Sequence, residues 1–415
     1  MTDPTTSLAR RGFLGRVTGF LAATTGALRS PLSAGPPIVA SRPPAEDIYT
    51  RLLGVRPVVG AFETWSRYGN RRLAPNVWRA MEEAGRLFVN VDDLNLAAGR
   101  KIAGLVEAED ALVTSCAFGA MVLGAAACLT GDDPTKVEAL PHPTWPRREC
   151  LIQKGDRFYY DRAYQVAGMT LVEVETGEDL VQHITDRTAM IAGLAMVERD
   201  LKPGTLRPDE LVAIGKRAGV PVLIDAAGEI PPADRLTRYT RMGADLVALS
   251  GGKGIGGPSS TGILAGRGDL IRAARLHLSP NQQVGRGMKV NREEIVGLVV
   301  ALEEFVKSDH AAMTREWTRK ARYIADRLAQ VHGLNAELRD TGRGYHDLTL
   351  RWDRAVIPLE WKDLDARLKA GNPPVVIMPP GIKFAYDYPT IVPSSLGDGE
   401  EQIVAAALVA AFRAG

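Results

Sequence analysis

Asp245-Leu-Val-Ala-Leu-Ser250-Gly251-Gly252-Lys253-Gly254-Ile255-Gly256-Gly257-Pro258-Ser259-Ser260-Thr261-Gly262 is the most informative stretch of this 415-residue chain. Asp245 to Ser250 reads as a short apolar strand, and it delivers Lys253 into a glycine-rich loop. A strand-end lysine among small residues can sit desolvated in a cleft. Desolvation lowers its pKa and frees the amine as a nucleophile. The competing reading is a surface turn with a solvated lysine. Gly252, Gly254 and Gly257 match Gly-x-Gly-x-x-Gly, but Pro258 and Ser259-Ser260 lead into another strand, so the helix of a dinucleotide fingerprint is missing. Gly252-Lys253-Gly254 also lacks the Ser or Thr that follows a P-loop lysine.

Two neighbouring stretches favour the reactive lysine. Leu223-Ile224-Asp225-Ala226-Ala227-Gly228-Glu229 places an acid at the end of an apolar strand, 28 residues before Lys253. That spacing is one strand–helix–strand unit, so one sheet edge would present both residues, and ligands bind at that edge in open α/β folds. A carboxylate for a pyridinium nitrogen and a lysine for an imine are the two groups pyridoxal 5'-phosphate (PLP) requires. Val113-Thr114-Ser115-Cys116-Ala117-Phe118-Gly119 reads as a strand running into a helix. Its small side chains leave backbone N–H groups open to a phosphate; an ordinary N-cap at Ser115 or Thr114 is the plainer alternative.

Outward from these motifs, helices and short apolar strands alternate. Strands are expected at 111–114, 170–174, 189–197, 220–225, 245–250 and 262–265, with helices at 75–88, 92–107, 118–129, 206–219 and 236–242. The alternation predicts an α/β fold with a mostly parallel sheet. Beyond Asn291 long helices are expected at 293–306 and 311–331. A smaller α/β segment follows, with strands at 346–352 and 375–378 and helices at 359–370 and 400–412. The expected division is a signal and linker (1–40), an N-terminal arm (41–90), a large domain (91–306) and a small C-terminal domain (307–415).

Near-equal charge, 51 Lys+Arg against 49 Asp+Glu, argues against a large basic nucleic-acid face. Cys116, Cys128 and Cys150 are too few for a disulfide scaffold, and no Cys/His spacing suits a metal. At the N-terminus Arg10-Arg11-Gly-Phe-Leu14 precedes a weakly apolar run, Val17 to Leu28. The run is too short to span a bilayer, which takes about 20 residues. This layout predicts a twin-arginine (Tat) signal, hence an exported or periplasmic protein that meets the Tat translocase transiently, with no stable membrane insertion. The alternative is a cytoplasmic protein with a basic tail. Within the first 40 residues lie Arg10, Arg11, Arg16, Arg29 and Asp3; the remainder carries a net charge of −1.

Ser250-Gly-Gly-Lys253-Gly-Ile-Gly-Gly-Pro258, Asp225-Ala-Ala and Gly285-Arg286-Gly-Met-Lys-Val290 with Glu293-Glu294-Ile295 resemble the SelA/DgaE group. These fold-type-I PLP enzymes are related to bacterial L-seryl-tRNA(Sec) selenium transferase and D-glucosaminate-6-phosphate ammonia-lyase. The resemblance spans about residues 51–306 and leans toward the ammonia-lyase branch. It implies Lys253 as the PLP-bearing catalytic lysine and Asp225 as the pyridinium partner. It further implies that Ser115, Cys116 and Ala117 hold the phosphate with Ser250 and Gly252. Ser259 and Ser260 would lie near a homodimer or higher-oligomer contact, and Arg286 would bind the substrate carboxylate. Two departures stand out: Val59-Gly60-Ala61-Phe62-Glu63-Thr64 replaces an Asn-Ala-Ala-Gly-Thr pattern, and Asp156 stands where a ring-facing histidine is expected. The implied activity is that of a lyase (β-elimination or ammonia-lyase type) on a small amino acid or amino sugar acid. The alternatives are selenium or sulfur transfer, aminotransferase-like or racemase chemistry, and a non-catalytic exported PLP-binding relic.

Overall fold

Continuously buried central strands set the architecture. The computed structural model describes residues 47–413 except 200, 202 and 383–385. The expected export signal lies outside the described residues. Residues 47–54 belong to a separate unit and form the helix Ile48–Leu53, capped by Asp47, whose carboxylate accepts from the Thr50 amide at 2.9 Å. Residues from Val55 onward form one compact unit.

Its strands are β1 (Val59–Ala61), β2 (Asp110–Ser115), β3 (Glu149–Gln153), β4 (Thr170–Val174), β5 (Thr188–Leu194) and β6 (Val222–Asp225), then β7 (Leu246–Ser250), β8 (Thr261–Gly266), β9 (Leu334–Asp340), β10 (His346–Trp352), β11 (Val375–Ile377) and β12 (Thr390–Ile391). Seven of them make one sheet in the order β2-β8-β7-β6-β5-β3-β4. β8 alone runs opposite to the other six strands. β5 to β8 are buried at every position, as expected when helices cover both faces of a sheet.

Successive residues of these strands point to opposite faces. Ile224, Val247, Leu249 and Ile263 enter one apolar core, together with residues of the helices Val91–Val106, Pro208–Ala218 and Arg292–Lys307. Leu223, Leu246, Ala248 and Leu264 enter the other, with the helices Cys116–Thr130 and Gly268–His277. Helix Cys116–Thr130 lies close to the sheet because its contact residues are small. A Cβ on Gly124 would stand 2.5 Å from Leu223 Cδ1.

β9, β10 and β12 form an antiparallel sheet packed on the helix His310–Leu328. β1 pairs in parallel with β11, Val59 to Ala61 against Val375 to Ile377. The segment expected as an N-terminal arm is therefore divided. Its strand completes a C-terminal ladder, while its helix Pro75–Gly85 packs on Arg292–Lys307. Strand β3 and the helix Gly268–His277 have no counterpart in the sequence reading. Five residues between Arg148 and Lys154 carry too little periodicity to stand out.

The sheet topology brings the C-terminal ends of β2, β6 and β7 to one edge. Gly262 sits there between Thr114 and Ser250 in register. A Cβ at Gly262 would collide with the Cys116 carbonyl and stand 2.7 Å from the Ala117 amide nitrogen. Backbone cannot yield as a side chain tip does. Gly262→Ala is expected to destabilise the fold by about 1–3 kcal/mol, read as a lower urea midpoint at unchanged slope. A wild-type midpoint would show that the close approach is unimportant.

Candidate active site

The edge of the sheet assembles the residues that the sequence singled out. Asp225 ends β6, is buried, and its Oδ1 accepts from the Ala227 amide at 3.0 Å. Lys253 follows β7 in a tight turn closed by the Gly256 amide on the Lys253 carbonyl at 3.0 Å. Glycines on either side are required by contact: a Cβ on Gly252 would stand 2.5 Å from Ser259 Cα, and one on Gly254 would collide with the Ile230 carbonyl. Burial lowers the Lys253 pKa, with Arg199 and Arg343 acting in the same direction and Glu63 and Asp225 opposing. Burial raises that of Asp225, opposed by the Ala227 amide and by Lys253. The two groups thus share one desolvated environment, as the 28-residue spacing suggests.

Ser115 ends β2 and stands before the helix Cys116–Thr130 without making a capping bond. Cys116 has φ of 57°, a left-handed conformation that costs a non-glycine residue about 1–2 kcal/mol. Two bonds hold it there: its amide donates to the Ser260 carbonyl at 2.8 Å, and Thr114 Oγ1 donates to its carbonyl at 2.8 Å. The Cys116 amide is therefore committed, and the Ala117 and Phe118 amides are the first-turn donors at the positive end of this helix. Ser250 and Gly252 are buried beside this edge. Backbone strain held by several partners is characteristic of ligand sites.

Arg286 and Asp156 remain to be placed. Arg286 is exposed in the loop after Gly268–His277, with its guanidinium 3.5 Å from Ser279 Oγ. The guanidinium charges that act on Lys253 belong to Arg199 and Arg343. Asp156, in place of the expected histidine, is buried. Its Oδ2 accepts from the Leu194 amide at 3.2 Å and from Gln153 Nε2 at 3.3 Å, joining the ends of β3 and β5. It lines a small void with Asp161, Tyr164 and Asp225.

Glu63 is the principal addition. It follows β1, accepts from Arg343 Nη1 at 2.6 Å and from Tyr386 Oη at 3.2 Å. Arg343 also donates through Nε to the Pro231 carbonyl at 2.7 Å. Burial opposes ionisation of Glu63, but Arg343, Arg199 and Lys253 outweigh it and bring its carboxyl to about 2. No local motif could reveal this group, because Glu63 and Arg343 flank Lys253 from opposite ends of the chain; the only hint was the departure from pattern at residues 59–64. A cavity of about 770 Å³ adjoins the site, walled by Arg199, Glu229, Arg235, Arg339, Arg343 and Asp347.

A half-buried lysine, a buried carboxylate one strand away, a strained helix N-terminus and a glycine cradle together suit PLP. Comparison with known proteins agrees. The Aminotransferase class-V family model matches residues 165–346. A 5'-C-glycyluridine monooxygenase-decarboxylase of a Streptomyces species is 34% identical over 365 residues, covering 85% of this chain and 89% of that one. A D-glucosaminate-6-phosphate ammonia lyase of Salmonella typhimurium is 26% identical over 87% of this chain and 97% of its own. A solved structure of D-glucosaminate-6-phosphate ammonia-lyase superposes with a TM-score of 0.77 at 26% identity, covering 89% of this chain and 98% of that one. The chain belongs to the family of PLP-dependent, fold-type-I enzymes that contains these proteins and extends to the L-seryl-tRNA(Sec) selenium transferases.

Proposed function

We propose that the protein is a PLP-dependent lyase acting on an amino sugar acid, an α-amino acid with a polyhydroxylated chain. The observation that carries this reading is the cavity of about 770 Å³ joined to the Lys253 site at Arg199 and Arg343. A small amino acid would leave most of it unfilled, whereas its size and polar wall suit a longer hydroxylated chain. The names of both relatives specify substrates built on a sugar.

When bound, PLP withdraws electrons from the substrate α-carbon and so makes a group on that carbon removable. Lys253, whose burial favours the neutral amine, would carry the cofactor and move the proton at the α-carbon. Asp225 would be the partner of the ring nitrogen, its carboxylate form favoured by the Ala227 amide and Lys253 against burial. Ser115, Ala117 and Ser250 hold the phosphate, with Cys116 and Gly252 shaping the space around it. Arg199 and Arg343 present guanidinium N–H groups where the Lys253 site meets the cavity, and Glu63 fixes Arg343 there.

One finding favours a second reading, oxygen-dependent decarboxylation: the 34% identity to the monooxygenase-decarboxylase over most of both chains. Holoenzyme incubated with D-glucosaminate and its 6-phosphate is expected to release ammonia and a 2-oxo acid without oxygen uptake. Carbon dioxide release that requires oxygen would overturn the lyase reading in favour of the second. In either case Lys253→Ala should abolish the visible PLP band; an unchanged band removes Lys253 from the site.

Glu63 raises the proton affinity of Lys253. Glu63→Gln removes that influence, so Lys253 should become neutral at lower pH. The pH profile of PLP uptake by apo-protein is expected to move to lower pH. A profile that stays in place or moves up contradicts the coupling.

A homodimer is part of the same proposal. Trp78, Leu87 and Phe88 are 57%, 66% and 98% exposed. Of these, Leu87 and Phe88 lie near the N-terminus of Arg292–Lys307, where Arg292 stacks on Phe88 and Glu294 accepts from Ser260. An apolar patch beside the 257–261 loop suits a second copy of the chain. Sedimentation should show a dimer or larger species, and Leu87→Glu with Phe88→Glu should dissociate it. A wild-type monomer at micromolar concentration refutes the assembly.

A further inference from the structure

Resting on the reading just given, we infer that the cavity walled by β9, β10 and the 229–235 segment binds the neutral polyhydroxylated part of the substrate and selects against a phosphoryl group there. The argument is one of charge pairing. Arg235 Nη1 lies 3.1 Å from Glu198 Oε2 and 3.0 Å from Glu229 Oε2. Arg199 Nη2 lies 3.0 Å from Glu229 Oε1, Arg339 Nη2 lies 3.2 Å from Asp347 Oδ2, and Arg343 pairs with Glu63. Among the described residues, each arginine of the wall already faces a carboxylate. A phosphate dianion calls for guanidinium groups that lack such a partner. A hydroxyl both donates and accepts, so alternating guanidinium N–H and carboxylate oxygen atoms suit a chain of hydroxyls.

Asp347 marks the recognition point. It stands on β10, is 1% exposed and lines the cavity, and its Oδ1 has no hydrogen-bond partner. A buried, unpartnered carboxylate oxygen costs free energy unless a ligand satisfies it. Burial, then Glu63, pushes the Asp347 carboxyl up to about 7 against the pull of Arg339 and Arg343. Near neutral pH it can therefore accept from a hydroxyl or donate to one. A phosphate beside it would add a second anion to a position that already resists charge.

The test titrates PLP-loaded enzyme with D-glucosaminate, D-glucosaminate 6-phosphate and serine of both configurations, following the cofactor band. D-Glucosaminate is expected to half-saturate at a concentration at least tenfold below that of its 6-phosphate and of serine. Asp347→Asn should raise the D-glucosaminate value about tenfold and leave serine within twofold. Arg339→Gln, on a more exposed side chain, should do the same and serves if the buried variant fails to fold. Equal or tighter binding of the 6-phosphate overturns the inference. So do variants that weaken serine and D-glucosaminate alike, or a band that answers serine but neither sugar acid. A band that answers no amine at all removes the lyase reading as well.

Discussion

An amine held in a desolvated site between two carboxylates is the constraint on which the rest of this molecule depends. Burial drives the Lys253 amine toward its neutral, nucleophilic form, and Arg199 and Arg343 act in the same sense. Glu63 and Asp225 restrain that tendency. Each carboxylate has its own tether: the Ala227 amide for Asp225, and Arg343 with Tyr386 for Glu63. A reactive lysine needs a pKa near its working pH, and opposing charges of this kind set it. The two acids come from different parts of the fold. Asp225 ends a strand of the central sheet, whereas Glu63 follows the strand that joins the C-terminal ladder.

Holding that balance requires a close-packed sheet edge. Gly252 and Gly254 let the Lys253 turn lie against Ser259 and Ile230, and Gly262 lets β8 approach the start of the helix Cys116–Thr130. The left-handed Cys116 is the residue bent to make this fit, and Ser260 and Thr114 keep it bent. The proposed phosphate site and the lysine turn are thus built from one knot of backbone.

The substrate side follows different rules. Where the resemblance expects a histidine, Asp156 ties β3 to β5, and the cavity beyond Lys253 is walled by guanidinium–carboxylate pairs. Paired charges cost less to bury than single ones and present donors and acceptors side by side.

The sequence by itself determined the alternating α/β order, the pairing of Asp225 with Lys253 and the cofactor they imply. Those signals are local: an apolar strand ending in an acid, a strand ending in a glycine-flanked lysine, and one strand–helix–strand unit between them. Even β10 at 346–352 and β4 at 170–174 were legible, because their apolar runs are bounded by breakers. Only the tertiary structure decided that β1 pairs with β11 and that Glu63 and Arg343 meet beside Lys253. Long-range pairing and side-chain burial depend on the whole chain closing on itself, and no local spacing in the sequence encodes where a residue hundreds of positions away will come to rest.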